Sequence, residues 1–130
     1  MSLRGRLLIL LIAAGAGASF SGVSEAHKLS RVQATAAAQR ISKDLARGDV
    51  DYIARTVGGE WEWFGSGHVE SCRVSSGRRH RHSAACHIVT VLGNGEVGGR
   101  CDRVIGLKFR SNRSRALTWW VRSSGGDCAE

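Results

Sequence analysis

Between Cys72 and Cys86 the chain reads Cys-Arg-Val-Ser-Ser-Gly-Arg-Arg-His-Arg-His-Ser-Ala-Ala-Cys, the densest cluster of positive charge in the sequence. Arg78, Arg79 and Arg81 cannot all bury, so at a hairpin tip they project together and concentrate positive potential. His80 and His82 add to it below about pH 6.5. Arg110, Arg113 and Arg115 crowd a second tip, and Arg100 and Arg103 lie near a strand start. Clusters of this kind bind polyanions through phosphates or other acid groups, with little readout of sequence. The competing reading is a solvated loop that keeps the protein soluble. His80-x-His82, together with His87, has a spacing that places two imidazoles on one side of an extended segment. No third ligand is set by that spacing and the flanking arginines repel a cation, so neither a metal nor a cofactor is expected.

Tryptophan offers a second kind of chemistry. Trp61, Trp63 and Trp119 are candidates to line a cleft between a helix and a sheet, where aromatic faces take a small molecule or a protein segment. Trp119 and Trp120 are adjacent, so on a strand they point to opposite faces and one of them leaves the main core. For acid–base work the sequence offers Glu60 and Glu62, with His68 and Glu70 nearby. Paired carboxylates hydrolyse glycosidic bonds, but alternating glutamates on an edge strand also discourage edge-to-edge pairing. There is no Gly-rich phosphate loop and no serine elbow, and an enzyme is not expected. Arg47-Gly48-Asp49 spells a tripeptide associated with cell adhesion, yet each residue already has a local structural use at the end of a helix.

The first 26 residues have the order of a secretory signal peptide: Arg4 and Arg6, then the apolar run Leu7 to Ala14, then small residues to Ala26. Cleavage fits after Ala18 or after Ala26, and the change of composition at His27 favours the second. The apolar run is short of the roughly 20 residues a spanning helix needs, so no stable membrane anchor is expected. Residues 27–130 then form a single secreted domain. Removing the leader takes away Arg4, Arg6 and Glu25 and lowers the net charge of +8 by one. A charge of that size favours acidic partners, either nucleic acid or a cell-envelope polyanion. Sixteen arginines stand against three lysines, which suits bidentate phosphate contacts as well as a GC-rich genome.

Four cysteines in a short exported chain imply two disulfides, and every spacing is too wide for zinc. The strand registers favour Cys72–Cys86 with Cys101–Cys128. The rival pairing is Cys86–Cys101 with Cys72–Cys128. The alanine-rich segment His27 to Arg47 reads as a helix of about five turns with Ala34, Ala38, Ile41 and Leu45 on one face and Leu29, Val32 and Ala36 as a weaker stripe. Gly48 reads as its stop, and Asp49 as the N-cap of a short helix from Val50 to Thr56. Glu60 to Phe64 alternates as a strand that Gly65-Ser66-Gly67 breaks. Strands follow over about His68 to Ser75, Ala84 to Leu92, Gly99 to Phe109 and Arg115 to Arg122, with an Asn94-Gly95 turn between the middle pair. If the last hairpin closes near Asn112 to Ser114, Phe109 faces Leu117, Leu107 faces Trp119 and Ile105 faces Val121. Closing the first near Arg79 sets Cys72 against Cys86 and Val74 against Ala84. A slip of one residue would turn both apolar sets outward. In the middle hairpin Cys86 is expected opposite Cys101 or Arg103.

Leu45-Ala-Arg-Gly-Asp-Val-Asp-Tyr-Ile-Ala, followed by Glu60-Trp61-Glu62-Trp63, resembles the opening of nuclear-transport-factor-2-like domains, where a helix ends at Gly-Asp and a short helix precedes an acidic-aromatic strand. The likeness spans residues 45–63, the rest of the chain is short for that family's curved sheet, and none of its catalytic residues is placed here. The whole plan is similar to that of small exported proteins of high-GC bacteria, which implies a compartment and an α+β fold but no activity. The sequence therefore predicts an α+β domain, an N-terminal helix packed on a four- to five-stranded antiparallel meander with two disulfides. Its expected function is secreted, non-enzymatic binding of a polyanion through Arg-rich hairpin tips; the alternative is a small-molecule or protein binder using the Trp-lined cleft.

Overall fold

A computed structural model describes residues 10–11, 29–75, 83–110 and 116–129. One helix, α1 (Arg31–Thr56), packs on a four-stranded antiparallel meander made of β2 (Phe64–Val74), β3 (Ser83–Gly93), β4 (Gly98–Phe109) and β5 (Ala116–Gly126). A two-residue strand, β1 (Leu10–Leu11), lies antiparallel on the outer edge of β5, with Leu10 opposite Leu117 and Leu11 opposite Ala116. These two residues belong to the apolar run assigned to the leader. No helix among the described residues is long and apolar enough to cross a membrane.

Ser30 starts α1 with a capping box: its hydroxyl accepts from Gln33 N, and Gln33 Oε1 accepts from Ser30 N, each at 3.1 Å. Two of the helix's orphan amide groups are thereby satisfied. The buried stripe is Ala34, Ala37, Ala38, Ile41, Ser42, Leu45, Ala46, Asp49 and Ile53, spaced to keep one face inward over the whole length. The weaker stripe does not form a second face, since Val32 and Ala36 are exposed and only Leu29 is buried.

Two expectations about this region are corrected. The helix does not stop at Gly48, nor does Asp49 cap a second helix; α1 runs through both to Thr56. A glycine in a helix interior costs about 1 kcal/mol relative to alanine, and the packing of Val50 and Ile53 against Trp63 and Leu92 outweighs it. The Gly-Ser-Gly triplet does not break a strand either. Residues 60–63 are irregular, and β2 begins at Phe64 and runs through Gly65, Ser66 and Gly67. Those glycines face the helix. A Cβ on Gly65 would stand 2.9 Å from both Leu92 Cδ2 and Val50 Cγ2, and one on Gly67 would collide with the Ser42 carbonyl. Glycine here lets two backbones approach, a known use of the residue within strands. Gln39 Nε2 fixes the approach by donating to Gly67 O at 3.1 Å.

The outer hairpins have the expected registers: Phe109 faces Leu117, Leu107 faces Trp119, Ile105 faces Val121, Cys72 faces Cys86 and Val74 faces Ala84. The middle one does not, because Cys86 faces Ile105 rather than Cys101 or Arg103. The turn closes between Asn94 N and Val97 O at 3.1 Å, and Asn94 Oδ1 accepts from both Glu96 N and Val97 N, which centres the reversal on Gly95-Glu96. Gly95 has φ 92°, which glycine adopts without strain. Cys101 is then left free to reach the chain end, and the disulfides are Cys72–Cys86 and Cys101–Cys128. Two disulfides fit an extracytoplasmic protein.

The main core lies between α1 and the sheet and includes Ile41, Leu45, Ile88, Ile105, Leu107 and Leu117. Fully burying each such side chain contributes about 1.5–3 kcal/mol. One ion pair crosses this interior. Asp49 is 0 % exposed and Arg103 3 %, and the guanidinium holds the carboxylate with two hydrogen bonds, Nη1 to Oδ2 at 2.6 Å and Nη2 to Oδ1 at 2.5 Å. Oδ1 also accepts from Ala129 N at 2.8 Å, so one carboxylate ties the helix, β4 and the chain end together.

Candidate functional site

A meander places alternate turns at the same end of the sheet. The β2–β3 and β4–β5 connections therefore both leave from one end and the Asn94 turn from the other. The first connection is framed by Ser75 N donating to Ser83 O at 3.0 Å and the second by Arg110 N donating to Ala116 O at 2.9 Å. Lys108 sits opposite Ser83, so the two reversals are neighbours across the β3–β4 pair, one strand spacing of about 4.8 Å apart. Arg78, Arg79, His80, Arg81 and His82, and likewise Arg113 and Arg115, lie outside the described residues. Arg110 is described and exposed. So are Arg73 and Lys108, which sequence reasoning did not single out. Among the described residues none of these three cations has a carboxylate within ion-pair distance.

The other arginines near a strand start have different work. Arg103 is enclosed with Asp49. Arg100 donates from Nε (2.8 Å) and Nη2 (3.1 Å) to Asp102, whose Oδ1 also lies 2.8 Å from His87 Nε2. The Arg100 hydrogen bond, then the one from His87, holds the Asp102 carboxyl down at about 2 from its ordinary 3.8. Asp102 in turn favours the protonated form of Arg100, again chiefly through their hydrogen bond. On the same open face His68 Nε2 lies 2.9 Å from Glu70 Oε1. Among the described residues no group of histidine, cysteine, aspartate or glutamate gathers as a set of metal ligands. Glu60 and Glu62 are exposed in the irregular stretch before β2 rather than on a strand.

The three cleft tryptophans are not brought together. Trp63 is buried with Ile53 and Leu92, and its Nε1 donates to Gly58 O at 2.9 Å. Trp119 packs on the main core in the row that holds Leu107 and Ala84, at the arginine-rich end. Trp63 immediately precedes Phe64, whose partner is Gly93. About nine positions of β3 separate the two rows, roughly 30 Å. Trp61 is exposed. A groove of about 530 Å³ does open between α1 and β2, lined by Lys43, Ala46, Arg47, Val50 and Phe64 among others, without any tryptophan. The adhesion-type tripeptide cannot present its acid, because Asp49 is enclosed by Arg103 and Ala129.

Trp120 takes the opposite face from Trp119 and lies over Gly106, its partner on β4. Strand alternation leaves β4 and β5 with Lys108, Gly106 and Thr118 around it on the open face, and β3 with Ala85 and Ser83. The arginine-rich end thus combines exposed cations, small residues and one exposed indole. Compared with protein-family models, with curated proteins and with solved structures, the chain shows no match.

Proposed function

We propose that this protein is a secreted, non-enzymatic binder of polyanions, and that the arginine-rich end of its sheet is the binding surface. One observation carries the proposal: the topology launches the segments holding Arg78 to His82 and Arg113 to Arg115 from the same end, beside Arg73, Lys108 and Arg110, which are exposed and have no acid partner among the described residues. Like charges set close together repel unless an anion occupies the space between them, so such an end lowers its free energy by taking a phosphate or sulfate chain. The internal ion pairs sharpen this reading. Arg100 and Arg103 are neutralised within the fold, which leaves Arg73, Lys108 and Arg110 at one end, with Arg122 farther along β5, as the exposed cations of the sheet that have no acid partner among the described residues.

Replacing Arg78, Arg79 and Arg81 together with serine tests the proposal. Elution of the folded variant from an anionic matrix at distinctly lower salt than the wild type supports it. Identical elution means that these side chains only keep the protein soluble.

A second reading rests on the α1–β2 groove, whose apolar floor of Ala46, Val50 and Phe64 is edged by Lys43, Arg47 and Asp51. It fits a small molecule that carries apolar and charged groups, and binding there would survive the triple serine variant.

A further inference from the structure

We infer that the polyanion is single-stranded nucleic acid and that Trp120 is a stacking platform for one of its bases. This rests on the polyanion reading above and assigns a chemical class to the ligand. The geometry of the indole carries it. A Cβ built on Gly106 would meet Trp120 Cε2 and Cζ2 most closely, with Cη2 third at 2.9 Å. A ring approaching by that edge would bring Nε1 nearer than Cη2. The observed order therefore places Gly106 under the face of the six-membered ring. One face of the indole is seated on the sheet, and the residue as a whole remains 44 % exposed.

What surrounds the ring suits a planar aromatic ligand. Ala85, Ser83, Gly106 and Thr118 are all small, so no taller side chain from these positions on the open face stands between the indole and an incoming base. Lys108 lies two positions from Gly106 on the same strand face, roughly 7 Å toward the arginine-rich end, and Arg73 begins the row that runs through Ala85 and Gly106 to Trp120. A cationic track beside an exposed aromatic face is the combination that binds single strands without sequence preference, because every base has a π-face and every nucleotide a phosphate. A duplex hides its base faces, polyphosphate would use the cations alone, and a sulfated polysaccharide has no planar aromatic group to lay on the ring. The apolar surface is too interrupted by Lys108, Thr118 and Ser83 to resemble the continuous core of a protein interface.

The test compares a fluorescent oligothymidylate of about ten nucleotides with inorganic polyphosphate, using the full mature chain. The variants are Trp120→Leu, Trp120→Phe and the triple Arg73→Ser/Lys108→Ser/Arg110→Ser, each checked for native circular dichroism. Trp120→Leu is expected to weaken oligothymidylate binding about five- to hundredfold and polyphosphate binding less than about twofold, with Trp120→Phe keeping most of the affinity. The triple variant is expected to weaken both. Equal losses for both polymers, or none, on Trp120→Leu overturn the stacking role while leaving polyanion binding intact. Wild-type protein that binds polyphosphate but not oligothymidylate overturns the nucleic-acid assignment alone. Binding to neither overturns both readings. A dimer in sedimentation that Trp120→Leu converts to monomer shows instead that a second copy covers the indole, and also overturns the inference.

Discussion

The ion pair between Asp49 and Arg103 makes a demanding prediction, because among the described residues it is the one place where the fold encloses opposite full charges. Asp49 receives two N–H groups from Arg103 and a third from Ala129. Changing Arg103→Met leaves the carboxylate with the Ala129 amide alone, and changing Asp49→Leu leaves a guanidinium with no anion. Removing one partner of a buried pair costs about 3–5 kcal/mol, a large part of the roughly 5–15 kcal/mol that holds a typical domain. For a domain of this size that corresponds to a fall in Tm of roughly 10–25 °C. The double variant Asp49→Leu/Arg103→Met removes both charges and leaves only one backbone amide without its acceptor, a loss of about 1–3 kcal/mol. Urea unfolding followed by tryptophan fluorescence should therefore find the double variant more stable than either single one. Additive losses, or single variants within about 1 kcal/mol of the wild type, would refute the claim that these groups meet in a dry site.

Two glycines give opposite expectations. Gly48 is exposed inside α1 with nothing within 4 Å of where a methyl group would stand, so Gly48→Ala should stabilise the protein by about 0.5–1 kcal/mol, whereas a glycine ending the helix would lose stability on that change. Gly67→Ala should destabilise it by about 1–3 kcal/mol or more, because the added methyl group meets the Ser42 backbone. Both are read from denaturant midpoints. The low carboxyl pKa of Asp102 gives a pH dependence. Its folded value of about 2 lies below the ordinary 3.8, so its contribution to stability is present above about pH 4 and disappears as pH falls through about 2. Asp102→Asn should accordingly flatten the stability loss of that acid limb, and an unchanged limb would show that the Arg100 and His87 contacts do not persist in solution.

The sheet is legible in the sequence because its alternation carries the register. Ile105, Leu107 and Phe109 against Leu117, Trp119 and Val121 form one apolar face in a single alignment, and Cys72 against Cys86 follows from the same logic. The middle hairpin is harder to read, since either neighbouring alignment retains apolar pairs and the deciding contact is the Asn94 side chain holding two amides of its own turn. Gly48 divides the helix only when local propensity is weighed before periodicity. Asp49 and Ile53 continue the stripe of Ala34, Ala38, Ile41 and Leu45. Extending that stripe puts an acid on a buried face and calls for a cation, and Arg103 alternates inward on β4 with Cys101 and Ile105. The basic character of one end is legible as charge, but Trp120 as a platform is not. Its role depends on a cross-strand glycine, which becomes visible only once Gly106 is known to face it.

If the arginine-rich end takes a polyanion, binding must weaken as salt rises. Each phosphate neutralised contributes about −0.9 to the slope of log K against log salt on duplex and about −0.7 on a single strand. If only Arg73, Lys108 and Arg110 engaged a duplex, binding would weaken about 40-fold between roughly 50 and 200 mM salt, and steeper slopes follow if Arg78, Arg79 and Arg81 join them. On a single strand the same three contacts give about 20-fold. The wild-type protein is expected to show at least the single-strand loss. Binding that stays constant across this range would rule out a polyanion site at the arginine-rich end.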